Sequence, residues 1–545
     1  MKDGKLLLTG SERIGIYRGI RDFFDALAAA GTALPQNASL SEAGCLNLAE
    51  GLVYTKDYGT FVTYEEFGAK GDGKTDDADA LVQAHAAAKE RKLPLLAKET
   101  ATYYIGGKKN IILISTDTDW SRAHFIIDDT KVEDRSTEVF KITFEYASQA
   151  VDLKSLKAGQ QNIGITFDYP VALTVYNDKV KQYIREEKNQ NDGSTMRDIV
   201  LVDKEGNVDP TTPILWDFDS ISSATARRVE EMPLTVKGGV ITTVANKETD
   251  AKYYYRGILI YRSNVIFDGL EHYVEGEGAT GAPYYGILIF HSSMNCTVKN
   301  VTFTAHKTYT SIGTAGQKVS NGTYDLTVTN SANFTALNCT QTTDINNGAY
   351  WGVFASNYSR NILFDGFTFS RFDAHCGVCN ATLRNCELGH QGINLIGHGT
   401  ALIENCTVRS QYFINLRSDY GSTWDGDLII LGCTYIPKNG ASCDTVIVNG
   451  SYNGTHDFGY TCHLLRNIVI NGLYVDDSHQ KTKDAPVYLF ANINPNWNSD
   501  GYTAAFPMTV TESVTAKNLV TARGKAVEIS PNKYMFKGLE IQYVI

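Results

Sequence analysis

The stretch FGAKGDGKTDDADALVQAHAAAKE, from Phe67 to Glu90, decides the fold of this 545-residue chain. Its glycines permit a tight turn with positive φ, and Asp76 or Asp77 then stands where a helix N-cap belongs. The residues that follow are good helix formers and predict a helix from Ala78 to Arg91. One face of that helix holds the residues expected to be buried: Leu81, Ala84, His85 and Ala88.

The aspartates of this stretch have two interpretations. Asp72, Asp76 and Asp77 offer oxygen ligands that suit calcium. They lack the full spacing of a calcium loop, so we favour a structural turn. We therefore expect no cofactor, with a divalent cation such as calcium as the alternative.

The same stretch resembles the first-coil motif of the pectin-lyase-like right-handed parallel β-helix superfamily. In that superfamily FGAKGDGKTDD and a short helix cap the first coils of a solenoid. The resemblance implies the fold and not a reaction, because polygalacturonases, polysaccharide lyases, epimerases and phage tailspikes share this opening. Function has to be argued from the site.

A nine-residue template recurs downstream and supports the same fold. It reads Asn, apolar, any, apolar, any, Gly or Asn, apolar or Cys, any, apolar. We count ten copies, which begin at Asn264, Asn295, Asn333, Asn361, Asn380, Thr400, Asp427, Asn467, Ser513 and Lys533. The shortest spacings are 19 and 20 residues, and a second strand such as GILIF at Gly286 precedes many copies.

Coils of this length with period-two alternation predict an all-β protein, a single-stranded right-handed parallel β-helix with an N-terminal capping helix. Equivalent positions of successive coils should form ladders. Cys339, Cys386, Cys406 and Cys433 share one template position and should stack inside. We therefore read the cysteines, including the pair Cys376 and Cys379, as free buried thiols rather than zinc ligands or disulfides.

Three regions are expected along the chain. Residues 1–60 form a helical leader, with an amphipathic helix from Glu12 to Ala30. Residues 61–250 hold the first-coil motif and early decorated coils, with a small inserted subdomain within 105–252. Residues 251–545 form the main β-helix.

The composition and charge of the chain restrict the classes of partner that it could bind. The formal charge of −11 argues against nucleic acid, and no apolar run is long enough to span a membrane. We expect a polysaccharide substrate and a monomer or homotrimer. The first residues lack the features of a signal peptide, so the localisation is extracellular or periplasmic if a leader was removed and otherwise cytoplasmic.

Basic residues follow many template copies, where the chain should leave the strand at one corner. Arg371, His390 and Arg409 are 19 residues apart, which is one coil. His306 and Lys307 follow an earlier copy, and Tyr412 lies beside Arg409. We predict a basic column with tyrosine beside it, which would line a binding groove.

Two segments are rich in chemically useful side chains. The first spans about two coils and an inserted loop from Ser418 to Gly426, and such insertions often carry function. Its candidate residues are Asp373, His375, His398, Arg417, Asp419, Tyr420, Trp424 and Asp425. The second, THDFGYTCH, offers His456 and Tyr460.

These residues suit a polysaccharide lyase acting on an acidic, uronate-containing glycan by β-elimination. Arg409 or Arg417 would neutralise the uronate carboxylate, His390 would be the base, and Tyr412 or Tyr420 the acid. Asp373 would orient a histidine, and His375 is a further catalytic candidate. The remaining residues would bind substrate: Arg371, His398, His306, Lys307, Asp419, Trp424, Asp425, His456 and Tyr460.

Two alternatives stay open. A glycoside hydrolase would use a pair of carboxylates drawn from Asp344, Asp373, Asp419 and Asp425. A phage tailspike-like protein or adhesin would bind glycan with or without cutting it. GHG at Gly397 to Gly399 is similar to a polygalacturonase motif, but the companion motifs are missing, as are those of pectate lyases. The resemblance therefore implies a carbohydrate-active protein of a bacterial type without giving its substrate.

Overall fold

The computed structural model describes residues 61–185, 192–312, 316–438, 444–478, 480, 482 and 484–544. From Phe61 onward the chain forms one compact unit. The helical leader expected over residues 1–60 lies outside the described residues. Among the described residues, no helix is long and apolar enough to cross a membrane.

The first-coil motif folds as the sequence predicts. A short 3-10 helix (Glu65–Phe67) and strand β1 (Asp72–Asp76) precede helix α1 (Ala78–Arg91). Asp77 occupies the N-cap position, but its carboxylate accepts hydrogen bonds from the amides of Lys70 (2.6 Å) and Gly71 (3.1 Å). It therefore closes the glycine turn instead of capping the helix. The buried face of α1 includes all four expected residues, Leu81, Ala84, His85 and Ala88, and packs over the first coils.

The Asp72 carboxylate is engaged in its own turn. It accepts hydrogen bonds from the amides of Thr75 (2.8 Å) and Lys74 (2.9 Å), which lower the pKa of this exposed group. In the described part of the chain, no three or more His, Cys, Asp or Glu side chains are grouped so that they could hold a metal ion.

The solenoid begins before a small inserted domain and resumes after it. The first coils contain β2 (Leu95–Leu96), β3 (Thr102–Ile105), β4 (Ile112–Leu113), β5 (Thr118–Asp128) and β6 (Phe140–Ile142). The inserted domain contains β7 (Gln149–Ala150), β8 (Val171–Gln182), β9 (Ser194–Val202) and β10 (Ser223–Arg228). These four strands form an antiparallel sheet with a hydrophobic cluster of its own. The decorated early region predicted from the sequence thus contains a folded inserted domain.

The chain then continues through 27 further strands in the described residues, most of which belong to the solenoid. The first group is β11 (Leu234–Val244), β12 (Ile258–Ile260), β13 (Val265–Asp268), β14 (Glu271–Glu275), β15 (Leu288–His291), β16 (Thr297–Lys299), β17 (Thr302–Phe303), β18 (Tyr309–Ile312), β19 (Lys318–Asn321), β20 (Leu326–Thr329), β21 (Ala332–Leu337), β22 (Thr340–Gln341), β23 (Phe354–Asn357) and β24 (Arg360–Asp365). The second group is β25 (Thr368–Arg384), β26 (Glu387–Glu404), β27 (Thr407–Val408), β28 (Ile414–Leu416), β29 (Trp424–Tyr435), β30 (Thr445–Asn449), β31 (Cys462–His463), β32 (Asn467–Val475), β33 (Val487–Phe490), β34 (Met508–Thr509), β35 (Ser513–Thr521), β36 (Val527–Glu528) and β37 (Ile541–Tyr543). A 3-10 helix (Ser418–Tyr420) lies between β28 and β29.

Parallel pairing from coil to coil arranges all but four of these strands into three long faces, which the chain visits in the order A, B, C. The exceptions are β18 and β19, which form an antiparallel pair, and β31 and β34, which form a separate short sheet. Sheet A contains β4, β6, β12, β15, β20, β23, the middle of β25 and of β26, β28, β30, β33 and β36. Sheets B and C hold the first and second halves of the template copies, respectively. The fold is a parallel β-helix, and the core lies between the three sheets.

The template explains the corner between sheets B and C. Its sixth position is Gly or Asn in the first nine copies, and all nine have a positive φ between 50° and 86°: Gly269, Asn300, Asn338, Gly366, Asn385, Asn405, Gly432, Gly472 and Asn518. Only Gly, Asn and Asp adopt this conformation readily, so the chain can turn there in every coil. The tenth copy is misplaced, because residues after Lys533 form turns and Ile541 pairs with Val514.

Stacked side chains tie the coils together. The amide of Asn333 donates to Asn295 (2.9 Å), that of Asn361 to Asn333 (2.9 Å) and that of Asn380 to Asn361 (3.0 Å). The predicted thiol stack is confirmed, since Cys386, Cys406 and Cys433 lie in the core. All eight cysteines in the described residues are free and buried.

Candidate functional site

The outer face of sheet A carries one column of side chains that runs along the solenoid. Strand register places one member of the column on each of eight coils, in the order Leu259, Ile289, Thr327, Ala355, Asp373, Asn394, Asn415 and Asn449. Within these eight positions Asp373 alone carries a charge, and Lys141, in register with Leu259 one coil earlier, pairs with Glu138 (2.7 Å). The candidate functional site is centred on Asp373.

Two guanidinium groups hold the Asp373 carboxylate, which is fully buried. Arg371 donates to it through Nη2 at 2.8 Å. Arg417 reaches across from β28 and donates through Nη1 to both carboxylate oxygens at 3.2 Å. The Arg371 guanidinium also donates to the side-chain oxygen of Gln391 (3.1 Å) and stacks on Trp351 (4.5 Å to the ring centroid).

The 3-10 helix after β28 adds a second carboxylate. Asp419 binds Arg417 through both of its oxygens, with Nε at 3.1 Å from Oδ1. Arg185, from the inserted domain, donates to Oδ2 of the same carboxylate at 2.7 Å. We call Arg185, Arg371, Asp373, Arg417 and Asp419 the arginine–aspartate cluster. Three guanidinium groups and two carboxylates leave it one surplus positive charge.

Both carboxyl groups of the cluster stay ionised. Burial raises the pKa of Asp419, but the charge of Arg417 outweighs it and the pKa falls to about 2. Burial likewise opposes ionisation of Asp373, and the Arg371 and Arg417 charges lower its pKa below the ordinary value. Neither group is therefore available as a proton donor near neutral pH.

His375 and Tyr420 lie beside the cluster. Nδ1 of His375 is 2.6 Å from the side-chain oxygen of Asn357, an acceptor, so Nδ1 carries the proton and Nε2 keeps its lone pair. Burial, aided by the Arg417 charge, lowers the pKa of His375 to about 3, so the imidazole is neutral. The Tyr420 ring meets it edge-on at 5.3 Å, and burial raises the pKa of the phenol.

A row of tyrosines flanks the column on the side where the chain enters sheet A. Tyr255 stacks on Tyr285 at 4.5 Å, and Tyr253 meets Tyr285 edge-on at 5.7 Å. Tyr324 stands one coil further, and the charge of Asp373 adds to burial in raising the pKa of its phenol. All four rings are half-buried. They offer flat apolar faces with hydroxyls at the edge, the surface that suits sugar rings.

The predicted basic column does not form. Arg371 pairs in register with Gly392, not with His390, because β26 has two additional residues at the corner. His390 instead lies near the backbone oxygen of Ile345 (3.0 Å through Nδ1), and Arg409 binds Glu387 (2.9 Å). A fixed spacing of 19 residues therefore does not guarantee alignment, since the corner lengths of successive coils differ.

Several other candidate residues also lie apart from the cluster. His306 is buried between Asp325 and Glu277, and the amide of Lys307 donates to Glu277. Trp424 is fully buried in the core, where its indole N–H donates to the backbone oxygen of Gly399. His306 and Trp424 were predicted to contact substrate, and their burial corrects that prediction. Lys307 was predicted to do the same; it is half-buried, and its ammonium donates to the backbone oxygens of Glu277 and Gly278.

The loop candidates have partners of their own. Asp425 pairs with Arg466 (2.9 Å), and His398 meets Trp216 of the inserted domain edge-on (5.0 Å). His456 contacts the backbone oxygen of Ile184 (3.1 Å). The Tyr460 hydroxyl donates to the backbone oxygen of Tyr420 (2.8 Å). Tyr412 is half-buried and lies two residues before β28. Of these, Tyr460 alone joins the cluster's surroundings, as a support for Tyr420.

Sequence reasoning missed Arg185, Asn357 and Gln391 and the tyrosine row. Arg185 lies in the aperiodic inserted domain, where no template fixes its position. The tyrosines did leave a signal, because YYY at Tyr253 and YY at Tyr284 stand directly before the sheet A strands.

Comparisons with known proteins agree on the architecture. No protein-family model matches the chain, and no curated protein matches it. Among solved structures, the gp54 tailspike of Acinetobacter baumannii bacteriophage AP22, solved with a capsular saccharide, is 11% identical with a TM-score of 0.51. The match covers 93% of this chain and 82% of that one.

Two further structures are more distant. The tailspike gp49 of Pseudomonas phage LKA1 is 13% identical with a TM-score of 0.44, over 89% of this chain and 78% of its own. The A-module of the Azotobacter vinelandii mannuronan C-5 epimerase AlgE6 is 11% identical with a TM-score of 0.37, over 89% and 96%. At 11% identity, the match to the gp54 tailspike supports the fold alone. The chain is a right-handed parallel β-helix, as its first-coil motif and its repeats predict.

Proposed function

We propose that the protein binds an acidic polysaccharide along the outer face of sheet A and cleaves it by β-elimination at the arginine–aspartate cluster. The observation that carries the proposal is the contact set at one point of the face. A neutral imidazole (His375), a protonated phenol (Tyr420) and a cluster with one surplus positive charge stand together there.

Each group fits one requirement of β-elimination. A uronate carboxylate beside Arg417 would gain charge-assisted hydrogen bonds, which makes the neighbouring C–H bond more acidic. His375 Nε2 would accept that proton, since a bound carboxylate raises the pKa of a nearby imidazole. The Tyr420 hydroxyl would donate a proton to the leaving oxygen. Arg417 and Tyr420 keep the roles that the sequence suggested, while His375 replaces His390 as the base.

A glycoside hydrolase fits this site less well. Hydrolysis with two carboxyl groups needs one of them protonated, and the pKa values of Asp373 and Asp419 are both lowered. The pair holds Arg417 in place instead.

Incubation with a panel of acidic glycans tests the proposal. Lyase action produces ultraviolet absorbance from unsaturated uronates together with new reducing ends, whereas hydrolysis produces reducing ends alone. On a substrate that is cleaved, His375→Ala and Arg417→Ala should each lower turnover by about 100-fold or more. His463→Ala is the matched control, because that histidine is bound to Thr509 away from the cluster. Normal turnover in both cluster variants would refute the assignment.

The tyrosine row favours a second candidate, in which the face binds a glycan without cleaving it. Binding with neither absorbance nor reducing ends would support that candidate.

A further inference from the structure

The spacing of charge along sheet A bears on which polysaccharide the face accepts. This inference rests on the proposed function, and it concerns where the substrate carries its negative charges. Successive coils stand about 4.8 Å apart, close to the length of one sugar residue in an extended chain. The column of side chains on sheet A is largely buried, so it shows how much charge lies beneath each sugar.

From Leu259 to Asn449 the floor of the face is uncharged except at Asp373, and Lys141, one coil before Leu259, is paired with Glu138 (2.7 Å). Before Asp373 the column is Leu259, Ile289, Thr327 and Ala355, and after it the column is Asn394, Asn415 and Asn449. The asparagines bond to one another, Asn449 to Asn415 at 2.8 Å and Asn415 to Asn394 at 2.7 Å. A chain with a carboxylate on every sugar would place most of its charges over neutral side chains.

The inserted domain supplies cations along the opposite edge from the tyrosine row, and they too are widely spaced. Arg227 donates to the backbone oxygen of Ser292 (2.9 Å), directly after β15. Arg197 stacks on Tyr358 (4.6 Å), directly after β23 and two coils further on. Arg185 binds Asp419, after β28 and three more coils along.

We infer that the substrate is a heteropolysaccharide in which acidic sugars are separated by one or two neutral sugars, and not a homopolyuronate. Cations two and three coils apart match charges two and three sugars apart. The neutral sugars between them would lie against Tyr253, Tyr285 and Tyr324, whose rings provide stacking faces without charge. Desolvating extra carboxylates over the apolar floor would oppose binding of a fully charged chain.

Affinity electrophoresis through gels that contain one polysaccharide each tests the inference. The acidic heteropolysaccharides are hyaluronan, with alternating uronate, and gellan, with an isolated uronate in each repeat. The homopolyuronates are polygalacturonate and alginate. We expect at least tenfold tighter binding to a heteropolysaccharide than to either homopolyuronate, at equal ionic strength. Equal or tighter binding of a homopolyuronate would overturn the inference, and so would binding to none of the four.

Variants of Arg197 test the role of the cation row directly. Arg197→Gln should weaken binding to the preferred heteropolysaccharide by about tenfold. It should leave binding to the carboxyl-reduced, neutral form of that glycan unchanged. Arg197→Lys should restore most of the affinity. Arg384→Gln is the matched control, since Arg384 pairs with Glu404 on sheet B. Equal loss on charged and neutral glycan would show that Arg197 acts only through folding and would refute its role.

Cleavage separates this inference from the proposed function. A bound heteropolysaccharide that is not cut refutes the lyase and keeps the inference. Efficient elimination on a homopolyuronate keeps the lyase and refutes the inference.

Discussion

Asp325→Asn is expected to destabilise the protein at neutral pH and to have a smaller effect in alkali. Asp325 is fully buried at the corner before β20, where three groups converge on its carboxylate. Nδ1 of His272 lies at 2.8 Å, the amide of Thr304 at 2.7 Å and Nε2 of His306 at 3.6 Å. His272 occupies an inward position of sheet C, in register with Ile241, so the network reaches into the solenoid itself.

The size of the effect follows from the pKa of His306. Burial lowers that pKa, but hydrogen bonds to Asp325 and Glu277 outweigh burial and raise it to about 9. The stabilisation from the protonated imidazole is thus fully present below pH 6.5, the ordinary value, and is lost as pH rises through 9. The pKa difference corresponds to about 3 kcal/mol. Removing the Asp325 charge from the buried set should cost about 3–5 kcal/mol near pH 6.

Urea unfolding of the wild type and of Asp325→Asn, followed by tryptophan fluorescence at several pH values, measures this. Comparing the two proteins cancels the titration of unfolded tyrosines and cysteines. The difference in unfolding free energy should be largest near pH 6. It should shrink as pH passes 9 by the part of the ~3 kcal/mol that Asp325, rather than Glu277, contributes. A difference that stays constant with pH would refute the charged-histidine reasoning. Asp500→Asn, which removes an exposed partner of Lys537, is the control and should show little effect at any pH.

Three further predictions concern the framework. Burial lowers the pKa of His85 to about 3, so below pH 6.5 the unfolded chain binds a proton that the folded chain does not. The free energy of unfolding should therefore fall by about 1.4 kcal/mol per pH unit as pH drops from 6.5 toward 3. In acid unfolding experiments, His85→Gln should lessen that slope. Asn380→Ala removes the hydrogen bond to Asn361 and places alanine at a position with φ 60°. Urea unfolding should then show an unfolding free energy lower by about 2–3 kcal/mol. Asn380→Gly should cost about 1 kcal/mol less, because glycine adopts that φ without strain. Arg360→Ala leaves the buried Asp198 of the inserted domain without its ion-pair partner, which should lower the unfolding free energy by about 3–5 kcal/mol. Limited proteolysis should then cut the inserted domain of the variant faster than its coils. Unchanged cleavage rates would contradict this.

The arginine–aspartate cluster and the Asp325 network illustrate two uses of buried charge in one solenoid. The Asp325 network is almost fully enclosed and holds a corner together. The arginine–aspartate cluster lies at outward positions of sheet A, where the Arg417 and Arg185 side chains are 14% and 16% exposed. The pairing of both aspartates with Arg417 fixes the guanidinium, which would lower the entropy cost of binding the carboxylate that we propose as its ligand.

Sequence alone determined the solenoid. A period-two pattern needs no distant information, because each coil buries its own alternate side chains against the next coil. A Gly or Asn at the sixth template position marks a backbone conformation that other residues resist, so the corner between sheets B and C could be located from the sequence. The same local logic placed Ala78–Arg91 in a helix and Cys386, Cys406 and Cys433 in the core.

Only the tertiary structure decided the site. Arg371 and His390 are separated by one nominal coil, yet two additional residues in β26 shift the register and send them to different surroundings. Arg185 meets Asp419 across 234 positions of sequence, from an inserted domain that has no repeat. Corner lengths and the docking of an inserted domain depend on contacts between distant segments. The repeat pattern does not predict such contacts. The sequence could therefore supply the candidate residues, but it could not show which of them lie together in the fold.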